Sequence, residues 1–181
     1  MIIFNREDYN MQLSELNKEF IINAYKKYMD FRENSEKYNE EYKYQILSNL
    51  NNELASYEIN SENINVILEI IEDNIPQKGP FVNWRSIQKF RKYIQNDPES
   101  GTKLLKTLLN ENRDLAERIS EVKKTLKQYG ETLGTPLTGY LLAAFDMNQY
   151  TIYKEEFFRG ICIILDLNMP SNRNTGKLYA Y

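Results

Sequence analysis

The chain has 181 residues, of which 41% are hydrophobic, enough for one globular domain or for two small ones that share a core. It has no histidine and one cysteine, which excludes Ser-His-Asp and Cys-His nucleophiles, histidine metal sites and thiolate zinc sites. The formal net charge of −3 argues against a uniformly basic nucleic-acid binder. We therefore expect a protein that is not an enzyme and that needs no cofactor.

The sequence gives no sign of a membrane or secretory segment. No apolar run approaches the roughly 18 residues that a membrane span requires. The first ten residues, MIIFNREDYN, lack the basic region and the long apolar stretch of a signal peptide. We expect a cytoplasmic protein with no membrane partner, and we expect Cys162, in the apolar run ICIIL, to be a small buried side chain.

The charge is divided unevenly along what we interpret as one domain, residues 1–181. Residues 1–78 form an acidic half with 8 Lys and Arg against 15 Asp and Glu. Residues 79–181 form a basic half with 15 against 11, and the change coincides with PQKGP at 76–80. The basic half is suited to contact a polyanion, although charged helical surfaces are also needed for solubility, and both explanations stay open.

Helical periodicity dominates the first half of the chain. From Ser14 onward the apolar residues recur at spacings of three to five, which predicts one amphipathic helix. Its apolar face consists of Leu16, Phe20, Ile21, Tyr25, Tyr28 and Phe31. A second helix is predicted through residues 35–57. The very apolar segment 61–72 is predicted to be a buried central helix, which the prolines of PQKGP would end.

Helix boundaries are marked more clearly in the second half of the chain. The segment NWRSIQKFRKYIQN aligns Trp84, Ile87 and Phe90 on one helical face, and Asp97-Pro98-Glu99 is a strong start signal for the next helix. Further helices are predicted to end at Gly130, to cover 136–145 and to cover 157–165. The expected fold is therefore all-α with about eight helices, built around 61–72, 136–145 and 157–165. Only MIIF and QYTIY are candidates for short strands.

Cations are concentrated between Trp84 and Leu109. This stretch carries six basic residues against only Asp97 and Glu99: Arg85, Lys89, Arg91, Lys92, Lys103 and Lys106. Arg85, Lys89 and Lys92 are three to four residues apart, opposite the apolar stripe, where such a row can follow DNA phosphates or simply be a solvated face. Trp84 could stack on a base, but its position beside Phe81 favours the core.

Three of the seven glycines, Gly130, Gly134 and Gly139, lie in YGETLGTPLTGYLLAAFD, which predicts a helical hairpin at 122–146. Gly134 precedes a helix opened by Thr135 and Pro136, and the free N–H groups at that helix start could bind a phosphate. Three further cations would add charge to this site: Lys123, Lys124 and Lys127. The alternative is purely structural. In that case a glycine ends the first helix, Thr135 caps the second, and small residues let the helices pack closely.

The stretch LGTPLTGYLLAAFD followed by NQYTIYKEEFFRGI resembles the helix-hairpin-helix region of base-excision DNA glycosylases. It is more closely similar to the all-helical, glycosylase-like N-terminal region of McrB-type restriction GTPases. The similarity covers residues 122–165. It implies a DNA-recognition domain whose partners are duplex DNA, an NTPase motor that is downstream or separate, and a nuclease subunit.

The chain departs from that family pattern in ways that bear on function. Thr132 replaces the earlier hairpin glycine, and Lys154 stands where glycosylases keep the catalytic aspartate. The resemblance therefore implies a DNA-binding scaffold without the base-excision acid. Gly176-Lys177 lacks the remaining residues of a phosphate-binding loop, so the motor would lie elsewhere, and the final GKLYAY suggests a module of a longer polypeptide. The alternative function is that of a protein-interaction module in a defence or phage assembly, without nucleic-acid binding.

Overall fold

The computed structural model describes residues 14–36, 40–76, 81–128 and 134–167. These ranges contain eight α-helices and no β-strand, which confirms the all-α prediction. The helices are α1 (Glu15–Asn34), α2 (Glu41–Leu54), α3 (Ile64–Asp73), α4 (Trp84–Asn96), α5 (Pro98–Leu109), α6 (Leu115–Gln128), α7 (Thr135–Phe145) and α8 (Glu155–Ile164). The candidate strand MIIF, the predicted helix stop at Gly130 and the terminal GKLYAY lie outside the described residues.

Side-chain caps set the beginnings of α1, α4 and α5. Ser14 Oγ accepts a hydrogen bond from the Asn17 N–H at 3.2 Å, which starts α1. The Asn83 side chain accepts from the Arg85 N–H at 2.9 Å, which starts α4. Asp97 caps α5 in the predicted way, because its carboxylate accepts from the Ser100 N–H at 3.0 Å. Hydrogen bonds from Ser100 lower the pKa of Asp97.

The core is organised around α3 and α7. Nine of the eleven residues of α7 are buried, so this helix is covered on nearly every side, as a central helix must be. It packs mainly against α2, while α3 packs against α2, α4 and α5. The predicted central segments 61–72 and 136–145 are therefore confirmed as core helices.

The contact between α4 and α5 is unusually close, and it fixes the orientation of α4. Gly101 of α5 is buried, and a Cβ atom added there would lie 2.7 Å from Ile94 Cγ1. The absence of a side chain at this position lets the two helices approach each other. The apolar face of α4 is thereby held against the core, and the opposite face points to solvent.

Two helices are less buried than the sequence predicts. We expected the segment 157–165 to be part of the core, but Cys162 is the one residue of α8 that is buried. The α1 helix forms as predicted, yet none of its side chains is buried. An amphipathic pattern identifies the face that a helix can bury, but it carries no information on which surface covers that face. Within the described ranges, no helix combines the length and apolar character needed to cross a membrane.

Candidate nucleic-acid interface

The α4 helix presents a row of exposed cations. Its buried side includes Ile87 and Ile94, and the opposite side carries Arg85, Lys89 and Lys92, all exposed. We call these three residues the α4 basic row. None of them forms an ion pair with another residue in the described part of the chain. The cations of the row are thus available to an external anion.

Arg91, the fourth cation of α4, has a different role. Its guanidinium forms an ion pair with Glu72 at the end of α3. This pair lies at the edge of the core, where both side chains are only partly exposed. Arg91 therefore links α4 to α3, and it is not part of the basic row.

Trp84 is not a core residue, and the prediction that favoured the core is wrong. Its side chain is 57% exposed, because the first turn of α4 turns it away from the buried stripe. The Arg85 guanidinium lies 5.4 Å from the centroid of the indole ring, a cation–π distance. Phe81 instead packs on Tyr140, with 5.4 Å between ring centroids. An exposed indole therefore stands at the start of the basic row.

The cations of α5 and α6 extend the positive surface only indirectly. Lys103 and Lys106 are exposed on α5, and Lys124 and Lys127 are exposed on α6. Lys123 is half-buried and has an interaction of its own. The α5 helix packs against both α4 and α6 and so lies between the helix that carries the α4 basic row and the helix that carries these lysines.

The start of α7 differs from the predicted cap. Gly134 is the N-cap residue, and Thr135 is the buried first residue of the helix, so the prediction that Thr135 caps α7 is wrong. Gly134 has φ −78° and ψ 157°, an ordinary extended conformation. A Cβ atom added at Gly134 would meet only Pro136 Cδ, at 3.8 Å. Neither backbone strain nor a close neighbour therefore requires glycine here.

Two observations bear on the predicted hairpin. The turn at 129–133 lies outside the described residues, so its geometry stays a prediction. The flanking helices have different main neighbours, since α6 packs on α5 and α7 packs on α2. The N–H groups of Thr135 and Leu137 have no acceptor within α7, which is the usual situation at a helix start. Gly139, Ala143 and Ala144 are buried, as the structural alternative for this segment expects.

No acidic side chain stands at position 154, where the glycosylases that this sequence resembles have their catalytic aspartate. Lys154 is exposed and precedes α8, and Glu155 forms an ion pair with Arg159 at 2.7 Å. Burial, and secondarily the charge of Glu155, raises the pKa of Tyr153. Among the described residues, no cluster of three or more His, Cys, Asp and Glu side chains could hold a metal ion.

Comparisons of the chain with protein-family models, with curated proteins and with solved structures find no match. Among the described residues, the α4 basic row with the exposed Trp84 beside it is the clearest candidate for a binding surface.

Proposed function

We propose that the chain is a non-catalytic DNA-recognition domain that contacts duplex DNA through the α4 basic row. The observation that carries this proposal is the charge of α4. In a chain with a net charge of −3, this helix has four cations and no acidic residue. Three of those cations are exposed on one face without an acidic partner among the described residues. A linear row of this kind matches the repeating charge of a phosphate backbone.

Trp84 supports a nucleic-acid partner over a small anion. An exposed indole next to Arg85 offers an aromatic surface that can pack on a sugar of the DNA backbone. The α4 basic row and the indole together favour contact with the DNA backbone. Through α4 alone, the domain would discriminate little between DNA sequences.

The proposal extends to the setting that the sequence resemblance implies. We propose that the domain is the N-terminal specificity module of a McrB-like restriction motor, with the NTPase and the nuclease supplied by other polypeptide regions or subunits. Gly134 and Thr135, with the three α6 lysines, would be a second phosphate contact in this scheme. The resemblance over 122–165 supports this setting, and the all-helical fold is compatible with it.

DNA binding by this domain is expected to depend strongly on salt. If the three cations of the α4 basic row each neutralise one phosphate, the affinity should fall roughly 40-fold between about 50 mM and about 200 mM salt, because each contact releases a counterion. Fluorescence anisotropy of a labelled duplex would measure this slope. Fluorescence of Trp84, the only tryptophan, would report contact with the DNA at the same time.

An affinity that does not change over that salt range would contradict the proposal, because no electrostatic row would then be involved. A salt-dependent affinity without any change in the tryptophan signal would retain the basic row and remove the role proposed for Trp84.

The alternative function is a protein-interaction module of a defence or phage assembly. One observation favours an interaction with protein: α1 buries none of its apolar side chains. This property is independent of the α4 basic row.

A further inference from the structure

Trp84 places an open aromatic surface directly beside the α4 basic row. A single exposed apolar side chain is common on protein surfaces and needs no ligand to explain it. Trp84, however, is the first residue of the helix that carries the row, and the Arg85 guanidinium lies 5.4 Å from the centroid of its indole. The side chain is 57% exposed despite this contact. The indole and the cations are therefore accessible to the same ligand.

The α4 basic row has the length of a short stretch of one DNA strand. Arg85 and Lys92 are seven residues apart, which is a rise of about 10 Å along the helix. Each strand of duplex DNA has one phosphate per about 3.4 Å of its axis. The three cations can thus contact about three neighbouring phosphates of a single strand. The indole then lies at one end of that run, where the next nucleotide of the same strand follows.

The pairing state of that nucleotide decides what the indole can contact. Inside a duplex both faces of each base are covered by the neighbouring bases, so the indole reaches only the sugar of the backbone. An unpaired base has a free face, and stacking of such a base on an aromatic side chain is a general way in which proteins hold single strands. Proteins of this kind combine the aromatic side chain with cations that follow the backbone, as α4 does.

We propose that the Trp84 end of the α4 basic row binds an unpaired nucleotide next to duplex DNA, as in a single-stranded overhang or a gap. This inference rests on the proposed DNA-binding function, because the row must hold the adjoining duplex. Lys89 and Lys92 contact phosphates of the paired part of one strand, and Trp84 stacks on the first unpaired base of that strand. Arg85 lies between them and neutralises the phosphate at the junction. The domain then prefers DNA in which a paired segment meets an unpaired one.

Fluorescence anisotropy with labelled duplexes of the same paired sequence tests the proposal. One duplex is flush, one has a short overhang of thymidines, and one has an overhang of abasic sugars, which adds the same phosphates without bases. The wild-type chain should bind the thymidine overhang at least about fivefold more tightly than the abasic one, because one stacked base contributes at least this much. Overhangs of both polarities are measured, and this gain with either polarity supports the proposal. The emission of Trp84, the only tryptophan, should change more with the thymidine overhang than with the abasic one.

Two variants of Trp84 separate stacking from charge. Trp84→Ala should abolish the preference for thymidines over abasic sugars, and it should leave the salt slope on the flush duplex unchanged, because the cations of the α4 basic row stay in place. Trp84→Phe is the matched control, because it keeps an aromatic face and should retain most of the preference. Both variants should have the helix content of the wild type by circular dichroism, since the indole is mostly exposed.

Binding of the flush duplex without any gain from the thymidines would overturn this inference and leave the proposed DNA contact intact. An equal gain from abasic sugars would also overturn it, since the additional phosphates alone would then explain the affinity. A preference for thymidines that persists in Trp84→Ala would mean that the bases stack elsewhere, contrary to the proposal. Failure to bind any of these DNAs would remove the proposed function together with this inference.

Discussion

Replacement of Arg118 by alanine is expected to lower the free energy of unfolding by about 2–5 kcal/mol, because it leaves a cavity in the core and removes the donor to a buried carbonyl. Arg118 is 1% exposed. Its Nη1 donates to the carbonyl of Leu108 at 2.8 Å, and its Nη2 donates to the Tyr150 hydroxyl at 3.2 Å. Without Arg118 the Leu108 carbonyl would remain buried without this donor.

The surroundings explain how a buried cation is tolerated. Leu108 lies in the last turn of α5, where the helix dipole places partial negative charge. The Tyr150 hydroxyl accepts from Arg118 and donates to the Glu111 carboxylate at 3.3 Å, which links the cation to an acid through a shared hydroxyl. Both arrangements stabilise the guanidinium without a direct ion pair among the described residues.

Arg118→Met is the control for side-chain volume. It keeps the length of the aliphatic stem but loses both hydrogen bonds, so a smaller loss of about 1–3 kcal/mol is expected from the unsatisfied carbonyl. Chemical denaturation of the wild type and of both variants would give the three free energies. A methionine variant at least as stable as the wild type would show that the guanidinium is a net burden, contrary to this account.

Replacement of Tyr140 by alanine is expected to cost about 3–5 kcal/mol, because it removes a large aromatic side chain from the centre of the core. Tyr140 is fully buried in α7, and its ring packs on Phe81. Its hydroxyl donates to the carbonyl of Ile71 at 2.7 Å. That carbonyl belongs to the last turn of α3, where intrahelical donors are missing. Burial raises the pKa of the Tyr140 hydroxyl, so it stays a donor through the neutral range.

Tyr140→Phe separates the two contributions. The phenyl ring retains the packing on Phe81, and the Ile71 carbonyl loses its donor, which should cost about 1–3 kcal/mol. Thermal and denaturant unfolding of the two variants would be compared with the wild type. Equal stability of Tyr140→Phe and the wild type would mean that another group satisfies the Ile71 carbonyl.

The elements that the sequence predicts well are those decided by local chemistry. The Asp97-Pro98 start of α5 depends on a cap and on a fixed proline φ angle, both of which are set within a few residues. The burial of α3 and α7 follows from segments so apolar that no exposed arrangement is stable. The basic row of α4 follows from helical spacing, because the opposite face is apolar.

The features that the sequence does not predict depend on contacts between distant residues. Arg118 lies three residues after Leu115, on the side that α6 buries, but its partners at positions 108 and 150 cannot be deduced from that spacing. Asn51 donates to the carbonyls of Ala143 and Ala144 at 2.8 and 2.7 Å, across more than ninety positions of the chain.

The exposure of Trp84 and of α1 could not be predicted from the sequence for a different reason. Large apolar side chains are usually buried, so a single sequence favours the core for them. Their exposure is determined by the shape of the neighbouring surface. The first turn of α4 places Trp84 outward beside Arg85, and no described element covers the middle of α1. Such exceptions are the residues from which binding surfaces can be proposed.

The most direct test of the proposed DNA contact is a comparison of two charge-reversal variants. Lys89→Glu/Lys92→Glu alters the α4 basic row and leaves Trp84 and Arg85 in place. Lys26→Glu/Lys27→Glu gives the same change of net charge on α1, for which no DNA contact is proposed. All four lysines are exposed, so neither variant disturbs the core.

Fluorescence anisotropy of a labelled duplex over a salt series would give the affinity and the salt slope of both variants. The α4 variant should lose at least about tenfold in affinity, and its logarithmic salt slope should become shallower by about 2 than that of the wild type, because two phosphate contacts are lost. The α1 variant should keep the wild-type slope. Equal losses in the two variants, or an unchanged slope in the α4 variant, would contradict DNA recognition by the α4 basic row.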